Sequence, residues 1–361
     1  MTPASAAVDS PRLRAMKICI VGLGAIGGMF AGWLGTKLPH GEVELSARAR
    51  GATLEAVRRD GLRLESGSDR VHVPLHVSDD PAELGTQDLV VLTVKGPALP
   101  AVAPAVQALC GPQTRVLSAM NGVPWWFFDG LDGFDGLDGR PRGLQLESID
   151  PGGAVHRAIP PERVIGCVVH LSATTPAAGA VRHVNGSGLI VGAAVGPRDA
   201  TTDAIATLLE RAGFAVTRSA RIQREVWYKL WGNLTMNPVS ALTGATADRI
   251  LDDPLVRAFC SAVMLEARAL GTAFGIPIDQ EPEARHAVTR RLGAFRTSML
   301  QDLEAGRPLE LDAIIGAVRE IGQRLGLATP NVDALFGLTR LMARERGLYP
   351  AEASSATALR S

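Results

Sequence analysis

A short apolar run, KICIV at 17 to 21, ends in GLGAIGG, and this junction constrains the fold more than any other stretch. Gly22, Gly24 and Gly27 fit G-x-G-x-x-G directly after a strand, and MFAGWLG continues as a helix. The first glycine permits a tight turn, the second lets backbone N–H groups approach a pyrophosphate, and the third lets helix and strand pack closely. The helix N-terminus adds a positive pole for that anion. Alone the pattern is weak, because glycine-rich chains produce it by chance. Between a β-branched run and a helix near the start of a fold, it predicts a dinucleotide site.

The next strand, VELSAR at 43 to 48, bears on which dinucleotide. A site for the unphosphorylated cofactor usually places Asp or Glu about 20 residues after the glycines, to accept from the ribose 2′-hydroxyl. Here the strand closes on Ser46, Ala47 and Arg48, followed by Arg50. No acid would repel a 2′-phosphate, and a guanidinium can grip one bidentately. NADP(H) is therefore the expected cofactor. Two further strands end on polar residues: DLVVLTV (88 to 94) runs into Lys95, and RVLSAM (115 to 120) into Asn121-Gly122. Ligands of parallel sheets bind outside the carboxyl ends of the strands, so Lys95 and Asn121 belong on that edge.

From 152 to 217 short β runs alternate with Pro, Gly and Asn turns (VIGCVVHLSA, AVRHV, GLIVG, FAVTR) and read as the rest of the sheet. After about Arg221 long segments with helical periodicity take over: REVWYKLWGNL, DPLVRAFCSAVMLEARALGTAFG, EARHAVTRRLGAFRTSMLQDLEAG, ELDAIIGAVREIGQRLG and TPNVDALFGLTRLMARERG. The expected fold is α/β, an N-terminal Rossmann-type dinucleotide-binding domain followed by an all-α C-terminal domain. The boundaries are a disordered leader at 1–15, the first domain at 16–220, the second at 221–345 and a flexible tail at 346–361. Met16 could serve as a second start.

The first predicted helix of the second half carries Lys229, Asn233 and Asn237, each four residues from the next. Four residues advance a helix by about 400°, so these side chains drift only ~40° per step and share one stripe. The stripe offers one titratable cation and two neutral amides that both donate and accept. Only four of the 37 basic residues are lysines, and arginine cannot release a proton at working pH. A lysine here suits a proton donor; a solvated helix face is the alternative.

Other features exclude rather than assign. Formal net charge is zero, which gives nucleic acid or an anionic membrane surface no electrostatic purchase. No apolar stretch approaches the roughly 20 residues of a membrane span, and residues 1–15 lack the apolar core of a signal peptide. Cys19, Cys110, Cys167 and Cys260 are scattered singly and the histidines form no ligand pair, so no metal is expected and a reducing cytoplasm suits the chain. Residues 129–140, DGLDGFDGLDGR, match no calcium-loop spacing and read as a surface insertion. The preceding PWWFF (124 to 128) is either an interdomain core contact or an apolar wall beside a substrate.

These blocks fall in one order: GLGAIG at 22, VLTVKG ending in Lys95 and Gly96, NGVP at 121, WYKLWGNLTMNP at 227 and TSMLQDLEAGRPLELDAI from 297. With them, over about 16 to 345, the chain closely resembles the ketopantoate reductase (2-dehydropantoate 2-reductase) family. The resemblance implies NADPH-dependent reduction of a 2-oxo acid, 2-dehydropantoate to pantoate in pantothenate biosynthesis or a related conversion. It implies that Gly22, Leu23, Gly24, Ala25, Ile26, Gly27 and Arg48 bind the cofactor, with Lys95 and Asn121 at its junction with substrate. Lys229 would donate the proton, and Asn233, Asn237 and Ser298 would hold the substrate. Glu310 would lie beside the nicotinamide and the substrate hydroxyl. Ser172 is a weaker match to a further cofactor contact.

Ala98 departs from the family, which commonly has glutamine three residues after the lysine, and the PWWFF run and Asp-Gly insertion are longer than usual. Both lie near the expected cleft mouth and leave room for a bulkier or more apolar substrate. Two alternatives stand beside this reading. One is a β-hydroxyacid dehydrogenase, disfavoured because Lys229 follows Arg-Glu-Val-Trp-Tyr rather than a glycine-rich start; the other is a non-catalytic NADP-binding sensor. The long helices offer apolar faces for a homodimer.

Overall fold

A computed structural model of the chain describes residues 14–133 and 143–350. The leader up to 13, residues 134–142 with most of the Asp-Gly insertion, and the tail beyond 350 lie outside the described residues.

The β-branched and apolar runs of the first half form one sheet. Its strands are β1 (Met16–Val21), β2 (Val43–Arg48), β3 (Leu62–Ser66), β4 (Asp69–Val73), β5 (His76–Ser78), β6 (Gln87–Leu92), β7 (Cys110–Ser118), β8 (Val164–Ala177), β9 (Ala180–Ala193) and β10 (Ala215–Arg218). The order is β4-β3-β9-β8-β7-β6-β1-β2-β5, with β10 also pairing β9. The run from β8 through β7, β6, β1 and β2 to β5 is parallel, while β3 with β4 and β8 with β9 are antiparallel. β1 sits between β2 and β6, so the chain order reverses at its carboxyl end and opens a crevice there. The connecting helices are α1 (Ala25–Lys37), α2 (Gly51–Asp60), α3 (Pro81–Leu84), α4 (Leu99–Ala108), α5 (Ala154–Ala158) and α6 (Ala200–Arg211).

The second half is helical: α7 (Ile222–Thr243), α8 (Ala247–Asp252), α9 (Pro254–Ala273), α10 (Pro282–Arg290), α11 (Ser298–Glu304), α12 (Ala317–Leu325) and α13 (Pro330–Glu345). Two differences from the sequence pattern have local causes. The segment from 283 to 306 reads as one helix but breaks after Arg290, where Gly293 takes φ +64° and Thr297 caps a new helix through the Leu300 N–H. The stretch from 311 begins with a π-helical turn at Asp312–Gly316 before α12. The β3–β4 hairpin, β5 and α8 are short elements that periodicity does not single out.

PWWFF is core. Trp126, Phe127 and Phe128 are each at most 1% exposed, and Phe274, just past α9, stacks edge-on with Phe127 at 5.8 Å and with Trp227 of α7 at 4.8 Å. The interdomain-contact alternative therefore holds for this run. The chain also stays packed past 345. Leu348 is 8% exposed, its carbonyl accepts from the Leu309 N–H at 3.1 Å, and the Tyr349 hydroxyl donates to Asp312 at 2.6 Å.

Candidate active site

The glycine turn lies at the carboxyl end of β1. Gly22 has φ +100°, and a β-carbon on it would fall 2.8 Å from Val94 Cγ1. A β-carbon on Gly27 would collide with the Gly22 carbonyl, while one on Gly24 would meet no atom within 4 Å. Two glycines thus hold the turn against its neighbours, and the third leaves open space over the N-terminus of the 13-residue α1. Thr93, just past β6, locks the turn by donating to the Gly22 carbonyl at 2.7 Å. Leu23 is buried and Ala25 and Ile26 are half-buried. Open backbone N–H groups at a helix start suit a pyrophosphate.

Arg48 closes β2 beside this turn, its carbonyl accepting from the Gly22 N–H at 3.3 Å. Its Nε is buried and makes no hydrogen bond, and no acid among the described residues pairs with it. A buried guanidinium nitrogen without a partner is costly in a folded chain and calls for an anion from outside. The glycine cradle and this orphaned donor fit a phosphorylated dinucleotide.

Across the crevice, α7 presents Lys229. Its Nζ donates to Asn121 Oδ1 at 2.9 Å and to the Val169 carbonyl at 2.8 Å. Asn121 is carried on the turn after β7, and Gly122 (φ +79°) lets that turn press onto the Ala313 backbone, where the Val123 N–H donates to the Ala313 carbonyl at 2.8 Å. Glu310 is 8% exposed, and its Oε1 accepts from the Gly96 N–H at 3.1 Å. The Asn121 side chain also favours the charged form of Glu310 and so lies between the acid and the lysine. Lys95 pairs with Asp302 of α11 at 2.5 Å, and Arg307 holds the same carboxylate at 2.9 Å.

Burial dominates the titration of both central groups. It pulls the Lys229 ammonium down from 10.5 to about 8, although Cys167 and Glu310 resist. Burial likewise raises the Glu310 carboxyl, opposed by the Gly96 N–H and the Lys95 charge. His170, next to Val169, is lowered by burial and then by the charges of Lys229 and Arg285.

The remaining expected residues lie at different depths. Asn233 is half-buried; Asn237 is 4% exposed, with an Nδ2 that has no partner. Ser298, the first residue of α11, is exposed, and the neighbouring Thr297 ties that helix to Ser240 of α7. Ser172 is half-buried in β8 opposite Asn185, three residues beyond Val169, and is not drawn into the Lys229 cluster. A cavity of about 470 Å³ adjoins the cluster, with Asn121 and Glu310 in its wall and Pro97, Met120, Ile149 and Leu309 among its apolar lining. Lys229, Asn233, Asn237 and Ser298 do not line it. Among the described residues no group of three or more His, Cys, Asp or Glu could hold a metal ion, and no helix is long and apolar enough to cross a membrane.

Sequence reasoning missed two participants. The Val169 carbonyl has no side-chain signature, and Asp302 stood within the MLQDLE block without a role.

Family models described as ketopantoate reductase PanE/ApbA and its C-terminal part match residues 18–124 and 221–343. The chain is 41% identical over 334 residues to the 2-dehydropantoate 2-reductase of Mesorhizobium japonicum, covering 92% of this chain and 100% of that one. A crystal structure from Ralstonia solanacearum, described provisionally as a ketopantoate reductase, is 50% identical with a TM-score of 0.86, over 93% of this chain and 100% of the other. D-mandelate dehydrogenase in complex with NADH and anilino(oxo)acetate matches with a TM-score of 0.78 at 19% identity, over 92% and 100% of the two chains; that likeness bears on the fold alone.

Proposed function

The chain belongs to the ketopantoate reductase family, and from that premise we propose that it uses NADPH to reduce a 2-oxo acid, 2-dehydropantoate or a close relative, to the 2-hydroxy acid. The observation that carries the reading is Lys229, held by Asn121 and the Val169 carbonyl with its pKa brought near 8. A cation so placed can both stabilise developing negative charge and give up a proton.

When bound, the cofactor supplies a hydride to the 2-oxo carbon. The chain does the rest. Gly22 to Gly27 and the start of α1 hold the pyrophosphate, and Arg48 holds the 2′-phosphate. Lys95 and Asn121 stand at the junction of cofactor and substrate. As the carbonyl oxygen gains negative charge, the Lys229 ammonium stabilises it and delivers the proton, becoming the neutral amine. Asn233, Asn237 and Ser298 orient the substrate through neutral hydrogen bonds, which fixes the attack geometry without a titration step. Glu310 sets the Gly96 turn and adds a negative charge that favours the protonated lysine. Ser172 of β8 adds a further cofactor contact.

The apolar cavity beside Asn121 and Glu310 favours substrates whose substituent is branched or aromatic. NADPH oxidation is to be followed with 2-dehydropantoate, 2-oxoisovalerate and phenylglyoxylate, and repeated with NADH. Turnover with at least one acid, faster with NADPH, is expected. Tight NADPH binding without turnover of any acid would instead identify a sensor, and equal or better use of NADH would remove Arg48 from its role. We also propose that residues 16–220 and 221–345 act as cofactor-binding and catalytic halves of a cytoplasmic enzyme, which pairs as a homodimer through its helical half.

A further inference from the structure

Among the described residues, only two arginines bury an Nε that makes no hydrogen bond: Arg48 and Arg285. Arg48 has the 2′-phosphate as its proposed partner. Arg285 has none, and its surroundings are built around it. It lies on α10 with its guanidinium against Gly232 of α7, where a β-carbon would fall 2.8 Å from both Nε and Nη2. The Cζ sits 5.2 Å from the centre of the Tyr228 ring, also on α7. A glycine and an aromatic face on one helix thus make a seat for the guanidinium. No acid among the described residues pairs with it in that seat, although many other described arginines find a carboxylate. Charges removed from water are ordinarily paired.

The seat is next to the chemistry. Gly232 follows Lys229 by three residues, about 4.5 Å along the helix axis. The Lys229 ammonium and the Arg285 guanidinium both act on His170, whose neighbour Val169 accepts from Lys229. Both cations thus lie near enough to His170 to disfavour its charged form, while the acid that favours the charged form of Lys229 is Glu310. In a 2-oxo acid the carboxylate is attached directly to the carbonyl carbon. A substrate whose oxo group meets Lys229 must offer its carboxylate within a few ångströms of that lysine.

Building on the function proposed above, we propose that Arg285 receives the substrate carboxylate, its planar fork supplying the counter-charge that Asn233, Asn237 and Ser298 cannot. Arg285 then decides that the enzyme takes 2-oxo acids rather than uncharged 2-oxo compounds. A guanidinium suits this role because it binds a carboxylate through two parallel hydrogen bonds and keeps its charge when half-buried.

The test compares Arg285→Gln and Arg285→Lys with the wild type, on 2-dehydropantoate and on its primary amide. Arg285→Gln is expected to raise KM for the acid by about 10- to 100-fold, the range of one hydrogen-bonded charge contact, with kcat and NADPH affinity changed far less. Its preference for acid over amide should collapse, and Arg285→Lys should restore part of it. Equal losses on acid and amide, or an unchanged KM, would make Arg285 a packing residue and overturn the proposal. If Arg285→Gln does not fold, Gly232→Ala gives the same reading, because the added methyl displaces the guanidinium and should raise KM for the acid selectively. Calorimetric binding of 2-dehydropantoate to the NADP-loaded protein needs no turnover. A wild type that binds the acid through Arg285 but never turns it over would fail the functional reading while leaving this contact standing.

Discussion

At the scale of single residues, Lys229 is set by a contest between burial and its neighbours. Burial wins and leaves the ammonium near 8, below the 10.5 of a free lysine. For a proton donor in reduction the sign is direct. The working form is protonated, so kcat for 2-oxo acid reduction should be level below about pH 7 and fall through pH 8, while the reverse oxidation rises. A profile of kcat against pH in both directions checks this, and a reduction rate that climbs above pH 8 would remove Lys229 as the acid. Lys229→Ala should lose about 10²- to 10⁴-fold in kcat while still binding NADPH. Lys229→Arg should lose nearly as much, because arginine keeps the charge but cannot release the proton. The four-residue spacing was enough to place Lys229, Asn233 and Asn237 on one stripe. The partners of Lys229 were not legible, since Asn121 and Val169 stand 108 and 60 residues away and meet it only through the sheet.

At the scale of elements, the turn from β1 into α1 separates the two demands placed on glycine. Gly27 is needed by the fold, because its β-carbon would strike the Gly22 carbonyl. Gly24 has open space above it, so a methyl there disturbs no protein atom but occupies the approach to the helix N-terminus. Gly24→Ala should keep the wild-type melting temperature and lose NADPH affinity, whereas Gly27→Ala should lose both. Thermal melts and NADPH fluorescence titrations distinguish them; a Gly24→Ala protein with intact affinity would detach the open space from cofactor binding. This element was readable because its motif, strand and helix are contiguous in sequence. The break between α10 and α11 was harder. Helical periodicity continues across Gly293, and it is the positive φ there with the Thr297 cap that ends one helix and starts the next. The β3–β4 hairpin is held by pairing with β9, more than a hundred residues on, so a local pattern has little to show.

At the scale of the whole molecule, the change of character near residue 220 does not divide the core. One cluster of buried side chains runs from Val21, Val90 and Val116 of the sheet through Trp126 and Phe127 to Trp227, Phe274 and Ile314 of the helical half. Polar ties follow the same route, with Lys95 pairing to Asp302 and the Gly96 N–H donating to Glu310. Trp126 is central: it is 1% exposed, and Gly166 of β8 makes room for its ring, since a β-carbon there would lie 2.6 Å away. Lys229 on α7 and the glycine turn after β1 are thus held in register by shared packing rather than by a linker. Unfolding should accordingly be a single transition, with near- and far-ultraviolet circular dichroism coinciding. Trp126→Ala should cost about 3–5 kcal/mol and lower that one transition as a unit, not release the helical half first. A piece spanning 16–220 should fail to fold alone, because it would expose Trp126, Phe127 and Phe128 together. Two well-separated transitions in the intact chain, or a cooperative melt from the isolated piece, would show that each half carries its own core, and the positions of Lys229 and Asn121 would then have to be fixed by ligand binding instead of by packing.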